Sequence, residues 1–158
     1  MYFYIESLNC RGQTCFTVSK QLLIQEFLKF YLIDILLCQE TSVDNESFKT
    51  CDYILNKFSI LKNNALNDYR TLCLARNDLE ISNVNFDTAG RMVPFNINDI
   101  SIVNIYLTVG TDAHSRYERE TLISDTLPNL IIDNQGRGII MEDWNCIVKK
   151  QDCTHFLR

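Results

Sequence analysis

The chain predicts an α/β (α+β) domain with at least one mixed sheet. Three observations carry this: a strand-helix-strand run over residues 3–40, a meander of β-rich segments over residues 79–106, and a closing helix followed by an apolar strand. Of 158 residues, 46% are hydrophobic and 11% aromatic, enough to build one core. Five Gly and two Pro, with no biased run and no internal repeat, exclude collagen, solenoid arrays and linker-like chains.

Phe3 to Asn9 reads as a strand that ends in the polar corner Asn9-Cys10-Arg11-Gly12, where Gly12 permits a turn. From Ser19, a plausible N-cap, the spacing of Leu23, Phe27, Phe30 and Tyr31 with Ile24 and Leu28 predicts a helix ending near Leu32. Asp34 to Glu40 is an almost continuous apolar run of strand length, as expected of a central strand covered on both faces. Asp52–Leu55, Phe58–Leu61 and Tyr69–Ala75 read as three further strands. Leu79–Phe86, Met92–Ile97 and Ile100–Tyr106 form an antiparallel meander joined by turns at Asp87-Thr88-Ala89-Gly90 and Asn98-Asp99. Ser115 to about Asp125 is a second helix, kinked or ended by Pro128, and Gly138–Met141 is a last buried strand.

The opening MYFYIESLNC has no signal-peptide pattern, and no apolar run approaches the length of a membrane span, so a soluble, non-membrane protein is expected. Fifteen Lys and Arg against twenty Asp and Glu give a net charge of −5, which excludes a general basic footprint for nucleic acid. Contact with DNA or RNA must then be local or use a metal to neutralise phosphate. The seven cysteines contain no Cys-x-x-Cys pair and read as reduced thiols in an intracellular compartment. His114 and His155 lack ligand spacing with Cys or Asp, which argues against zinc.

Three predicted strands end in polar residues: Asn9, Glu40, and the pair Asp143 and Asn145. Any one of these alone marks the place where a strand stops. Together they offer a carboxylate and an amide that can hold Mg²⁺, which takes oxygen ligands and keeps several waters, with a second carboxylate to activate one of those waters.

At these residues the sequence resembles the endonuclease/exonuclease/phosphatase superfamily, and within it the apurinic-endonuclease-like domain of non-LTR (LINE-type) retrotransposons. The resemblance rests on SLNCRG at 7–12, DILLCQET at 34–41, the strand pair at 87–112, SRYERE at 115–120 and EDWNCIVKKQD at 142–152. None of these motifs is specific alone; their order and separations are. The resemblance implies a two-sheet, DNase I-like β-sandwich flanked by helices, with the second sheet incomplete. Residues 1–158 would supply the N-terminal two-thirds of such a domain.

By resemblance, Glu40 is the principal ligand of Mg²⁺ (or Mn²⁺), and Asn9 its supporting ligand or hydrogen-bond partner. Tyr106 contacts the scissile phosphate, Asp143 orients and deprotonates the attacking water, and Asn145 holds the phosphate in line. Implied with them are DNA as partner, a reverse transcriptase domain in the parent element, and a nuclear location. Arg116 and Arg119 on the second helix read as a solvated face beside Glu118 and Glu120, and Trp144 as packing.

Two departures stand out. Met141-Glu142 replaces the family's Gly-Gly, putting bulk and a like charge beside Asp143, which would raise its pKa or disturb the turn. The family also continues to a late Asp and a terminal Ser-Asp-His, whereas this sequence stops at Arg158 with His155 too early for that role. The expectation is a weak or inactive endonuclease with exposed sheet edges and poor solubility. The alternatives are a catalytically dead remnant or binding module, and another phosphatase of the same superfamily.

Overall fold

The computed structural model describes residues 2–11, 17–43, 52–63, 69–130 and 137–143. Among the described residues, eight strands form two four-stranded sheets. Sheet A holds β1 (Ile5–Asn9), β2 (Ile35–Val43), β3 (Phe58–Leu61) and β4 (Tyr69–Arg76) in the order β1-β2-β4-β3. Sheet B holds β5 (Ile81–Ser82), β6 (Met92–Ile97), β7 (Ile100–Tyr106) and β8 (Gly138–Asp143) in sequence order. Both sheets are mixed: β1 runs parallel to β2 and β7 parallel to β8, while the remaining pairs are antiparallel.

Strand alternation sorts the apolar residues into layers. Ile35, Leu37, Cys73 and Ala75 of sheet A meet Val93, Phe95, Ile97 and Ile102 of sheet B in the central core. The opposite parity of β2 and β4 (Leu36, Cys38, Leu72, Leu74) packs on Ile24 and Leu28 of α1 (Val18–Phe30) and on Ile54 of α2 (Asp52–Lys57). The outer face of sheet B (Met92, Val103, Ile105) packs on Leu122 and Leu127 of the C-terminal helical run. The result is an α/β/β/α sandwich, so the predicted fold class holds.

Four elements differ from expectation. Residues 52–57 are helical, with only Ile54 fully inward, because one buried residue per turn satisfies a short helix as readily as a strand. Helix α1 starts one residue ahead of Ser19, with Thr17 as its N-cap and no side-chain cap bond. Its buried face is Gln21, Ile24 and Leu28, while Leu23, Phe30 and Tyr31 are exposed. The first meander segment is regular only at Ile81–Ser82. Finally, the second helix does not stop at Pro128: α3 (Ala113–Thr121) passes through a π-helical turn (Leu122–Thr126) into α4 (Leu127–Leu130). Leu127 N–H bonds Leu122 O, five residues back, which widens the turn ahead of a proline that has no N–H to continue the ladder. The Asn129 side chain bonds Asp125 O at 2.7 Å in the same stretch.

Two helix ends carry local devices. At the end of α1, Leu32 N–H bonds Lys29 O and Ile33 N–H bonds Leu28 O, a Schellman motif whose apolar contact is Ile33 with Leu28. Leu32 adopts a left-handed φ of 52° there, with its side chain exposed. At the start of α3, Asp112 accepts from Ser115 N at 2.9 Å and Ser115 Oγ at 2.6 Å. These two bonds hold its carboxyl at about 2, against an ordinary 3.8.

Leu32→Gly, which removes the left-handed penalty and an exposed apolar side chain, is expected to raise stability by about 0.5–1 kcal/mol in denaturant melts. Asp112→Ala is expected to lower the melting temperature near neutral pH. Because the folded carboxyl titrates below its unfolded value, this stabilisation is present above 3.8 and is lost as pH falls through about 2. The gap between variant and wild type in thermal melts should close over that interval.

Candidate metal and phosphate site

Parallel pairing delivers the C-terminal ends of β1 and β2 to the same edge of sheet A, with Asn9 opposite Gln39. Asn9 Nδ2 donates to Glu40 Oε1 at 3.2 Å, and Asn9 Oδ1 accepts from the Arg11 backbone N–H at 2.7 Å. Asn9 is exposed and Glu40 half-buried, so the pair faces solvent while resting on a buried strand.

Glu40 does not sit in regular strand. Its φ is 50°, and the pairing of β2 with β4 shifts register between Gln39 and Val43. A non-glycine residue in the left-handed region costs about 1–2 kcal/mol, and such an irregularity re-aims the side chain it carries. Strain of this kind persists where the surroundings over-determine it, and here it falls on the carboxylate singled out from the sequence.

The surroundings beneath it are polar, and their two central amides are buried. Gln39 and Asn104 are 1% and 0% exposed. Gln39 Nε2 donates to Asn104 Oδ1 at 2.7 Å and to Ser7 Oγ at 2.9 Å. Asn104 Nδ2 donates in turn to Cys38 O at 3.0 Å and Leu72 O at 2.9 Å, and approaches Cys73 Sγ at 3.6 Å. Burial pushes the Cys73 thiol well up, against the opposing effect of that contact, so the sulfur stays protonated. The network joins β1, β2 and β4 of one sheet to β7 of the other.

It also aligns the two sheets. The residue before Glu40 is bonded to the residue two before Tyr106, so the ends of β2 and β7 fall at one end of the sandwich. Tyr106 closes β7 opposite the backbone of Asp143, which closes the parallel strand β8. Asn9, Glu40, Tyr106 and the backbone of residue 143 thus lie at a common edge. The side chain of Asp143, and all of Trp144, Asn145 and His155, lie outside the described residues.

Tyr106 is half-buried and is fixed through its main chain, its N–H bonding Arg91 O at 2.9 Å. Arg91 leaves a turn built by Asp87, whose Oδ1 accepts from the N–H groups of Arg91 and Met92 at 2.6 and 2.7 Å. Gly90, at a φ of 67°, presents its carbonyl to the N–H groups of Arg70 and Thr71. Burial raises the Asp87 pKa, an effect that the backbone donors and Arg91 reduce without cancelling. Tyr106, Arg70, Arg91, Thr108 and Glu118 line a cavity of about 280 Å³. Arg119 is not part of a solvated face: it donates to Thr108 O and Gly110 O and ties α3 to the end of β7.

Among the described residues, no group of three or more His, Cys, Asp and Glu is placed to hold a metal. Glu40 and Asn9 offer one carboxylate and one amide oxygen, hard donors that fit Mg²⁺, an ion that keeps several of its own waters. As placed, the Asn9 amide is a hydrogen-bond donor to the carboxylate; a half-turn about its last torsion brings Oδ1 to the same position.

The Gln39–Asn104 bridge leaves a signal in the sequence, in the parity of its two members. Gln39 continues the inward parity of Ile35 and Leu37, and Asn104 continues that of Ile102. Two amides on the inner faces of two apolar strands have few partners but each other.

No protein-family model matches the chain, and no curated protein matches it significantly by sequence. Solved structures do match. An AP endonuclease from Archaeoglobus fulgidus superposes with a TM-score of 0.70 at 19% identity, covering 96% of this chain and 60% of that one. The 3′ phosphatase NExo from Neisseria, bound to a product DNA hairpin, gives 0.73 at 16% identity, covering 96% and 61%. TDP2 from C. elegans gives 0.64 at 16% identity, covering 92% and 48%. The chain therefore spans about half to three-fifths of the length of these proteins. Its two packed mixed sheets, with helices on their outer faces, are the DNase I-like fold that they share.

Proposed function

We propose that this chain carries metal- and phosphate-binding residues of a divalent-metal-dependent phosphodiesterase acting on DNA, weak in activity, of endonuclease type and of the LINE-type retroelement lineage. The observation that carries the reading is the hydrogen-bonded pair Asn9–Glu40 on a bulged strand end, at the sandwich edge that also holds Tyr106 and residue 143. Support comes from the neighbours, an AP endonuclease and a 3′ phosphatase bound to DNA product, and from the motifs at 87–120 for the retroelement lineage.

In this reading Glu40 would hold Mg²⁺ with Asn9 beside it, and the chemistry supplied there would be Lewis-acid stabilisation of negative charge on the phosphoryl oxygens. Tyr106 donates its phenolic O–H to a non-bridging phosphate oxygen. Asp143 takes a proton from the attacking water as the new oxygen–phosphorus bond forms and the bond to the leaving oxygen breaks. Asn145 donates to the phosphate and keeps attack and departure in line. A net charge of −5 is compatible with a polyanionic substrate because the cation supplies positive charge at the point of reaction.

The test is nicking of supercoiled DNA with Mg²⁺ by the wild-type chain, Glu40→Ala and Asp143→Ala. Each substitution is expected to lower the rate by roughly 10²–10⁴-fold; equal cleavage by all three proteins overturns the reading. Glu40→Gly separates chemistry from architecture. It relieves the positive φ and is expected to leave the melting temperature unchanged or higher while abolishing nicking, whereas a structural Glu40 would give a lower melting temperature.

A further inference from the structure

We propose that Asn104 is a positioning residue for the metal-binding carboxylate: its bridge to Gln39 and to the carbonyl of Cys38 sets where Glu40 stands relative to Tyr106. The proposal rests on the reading of Glu40 as a metal ligand but concerns a residue that touches neither metal nor phosphate.

Three observations support it. First, the grip is specific to the strand end. Asn104 Nδ2 reaches the main chain of Cys38, its Oδ1 reaches the side chain of Gln39, and the next residue is Glu40, where β2 leaves regular geometry. A bulge tolerates several local outcomes; fixing the two residues ahead of it from the opposite sheet selects one.

Second, the same amide reaches Leu72 O on β4. Leu72 is the register partner of Cys38, so Asn104 holds both strands at the pair next to Gln39–Thr71, the last regular one before the register shift. Third, Asn104 lies two residues before Tyr106 on a single strand, so a displacement of β2 along β7 changes the separation between the carboxylate and the phenol.

A buried amide at this position is otherwise hard to account for. Its neighbours on the same face are Val93, Phe95 and Ile102, and an apolar residue there would extend the core without any desolvation cost. Ser7 adds a second anchor, because Gln39 Nε2 also reaches its hydroxyl and so ties β1, which carries Asn9, into the same network. Both members of the Asn9–Glu40 pair are therefore held from one side chain on the other sheet.

The experiment measures Mn²⁺ affinity of the purified chain by water-proton relaxation, with folding of each sample checked by its melting curve. The proteins compared are wild type, Asn104→Ala, Gln39→Met, the double variant of these two, Glu40→Gln and Asp112→Ala. Gln39→Met keeps the shape and burial of the side chain while removing its two donated hydrogen bonds, so it reports even where Asn104→Ala does not fold.

Asn104→Ala and Gln39→Met are expected to weaken Mn²⁺ binding at least fivefold in the folded protein. Their effects should be far from additive in the double variant, because both break one bridge. Asp112→Ala, destabilised at a distant helix cap, is expected to bind Mn²⁺ as wild type does. Loss of binding in Glu40→Gln with unchanged affinity in Gln39→Met and in any folded Asn104→Ala overturns the positioning role and leaves the metal site standing. Unchanged affinity in Glu40→Gln overturns the metal site and the positioning role with it.

Discussion

The bridge between Gln39 and Asn104 is the constraint on which the rest of the arrangement depends. Two sheets packed through Leu, Ile, Val and Phe have many nearly equivalent ways to slide, since apolar contact is non-directional. A directional bond of 2.7 Å between two amides, with the remaining donors committed to Ser7 Oγ, Cys38 O and Leu72 O, removes that freedom. Breaking any member leaves a buried polar group without its partner, at a cost of about 1–3 kcal/mol, so only one register of sheet on sheet satisfies the whole set.

The opposite end of sheet A has its own clamp. Asp34, almost fully buried, accepts from Tyr4 N at 2.8 Å and from Arg76 Nη1 at 2.6 Å, pinning the entry to β1 and the exit of β4 to the start of β2. With both ends of β2 held, the irregular stretch from Glu40 is the place where the strand departs from its pairing. The division of labour is physical: regular pairing and burial fix the strand, and the left-handed residue at its end turns a carboxylate out to solvent beside Asn9. The Asp87 turn serves sheet B in a similar way, fixing Arg91 and through its carbonyl the main chain of Tyr106.

Much of this was legible in the residues themselves. The switch from a 3.6-residue to a continuous apolar pattern located α1 and β2, and the turn chemistry at Asp87–Gly90 and Asn98-Asp99 located the meander, because those signals are local. What escaped was set by tertiary contact. Residues 52–57 carry one buried side chain and have no decisive period, Leu23 and Phe30 look like a core stripe but face outward, and Pro128 is absorbed by a π-helical turn that no propensity anticipates. For the site, Asn9 and Tyr106 were legible as polar strand ends and Glu40 as the polar residue closing an apolar run, and the three lie at one edge. The left-handed φ of Glu40 was not; for Gln39 and Asn104 the inward parity was legible but their pairing was not, because it joins strands 65 positions apart.

The separations themselves have a kinetic meaning. β6 and β7 are joined by two residues, Asn98 and Asp99, with Asn98 at a φ of 53°, and such a hairpin closes early at little entropic cost. The contact between residues 39 and 104 spans 65 positions, and that between residues 9 and 40 spans 31, so both belong to the slow, long-range part of assembly. Hairpins and helices can therefore be complete in a molecule whose carboxylate and amide have not yet met. If the proposed ion binds only the joined pair, it would favour the finished edge over any chain in which that pair is apart, by mass action.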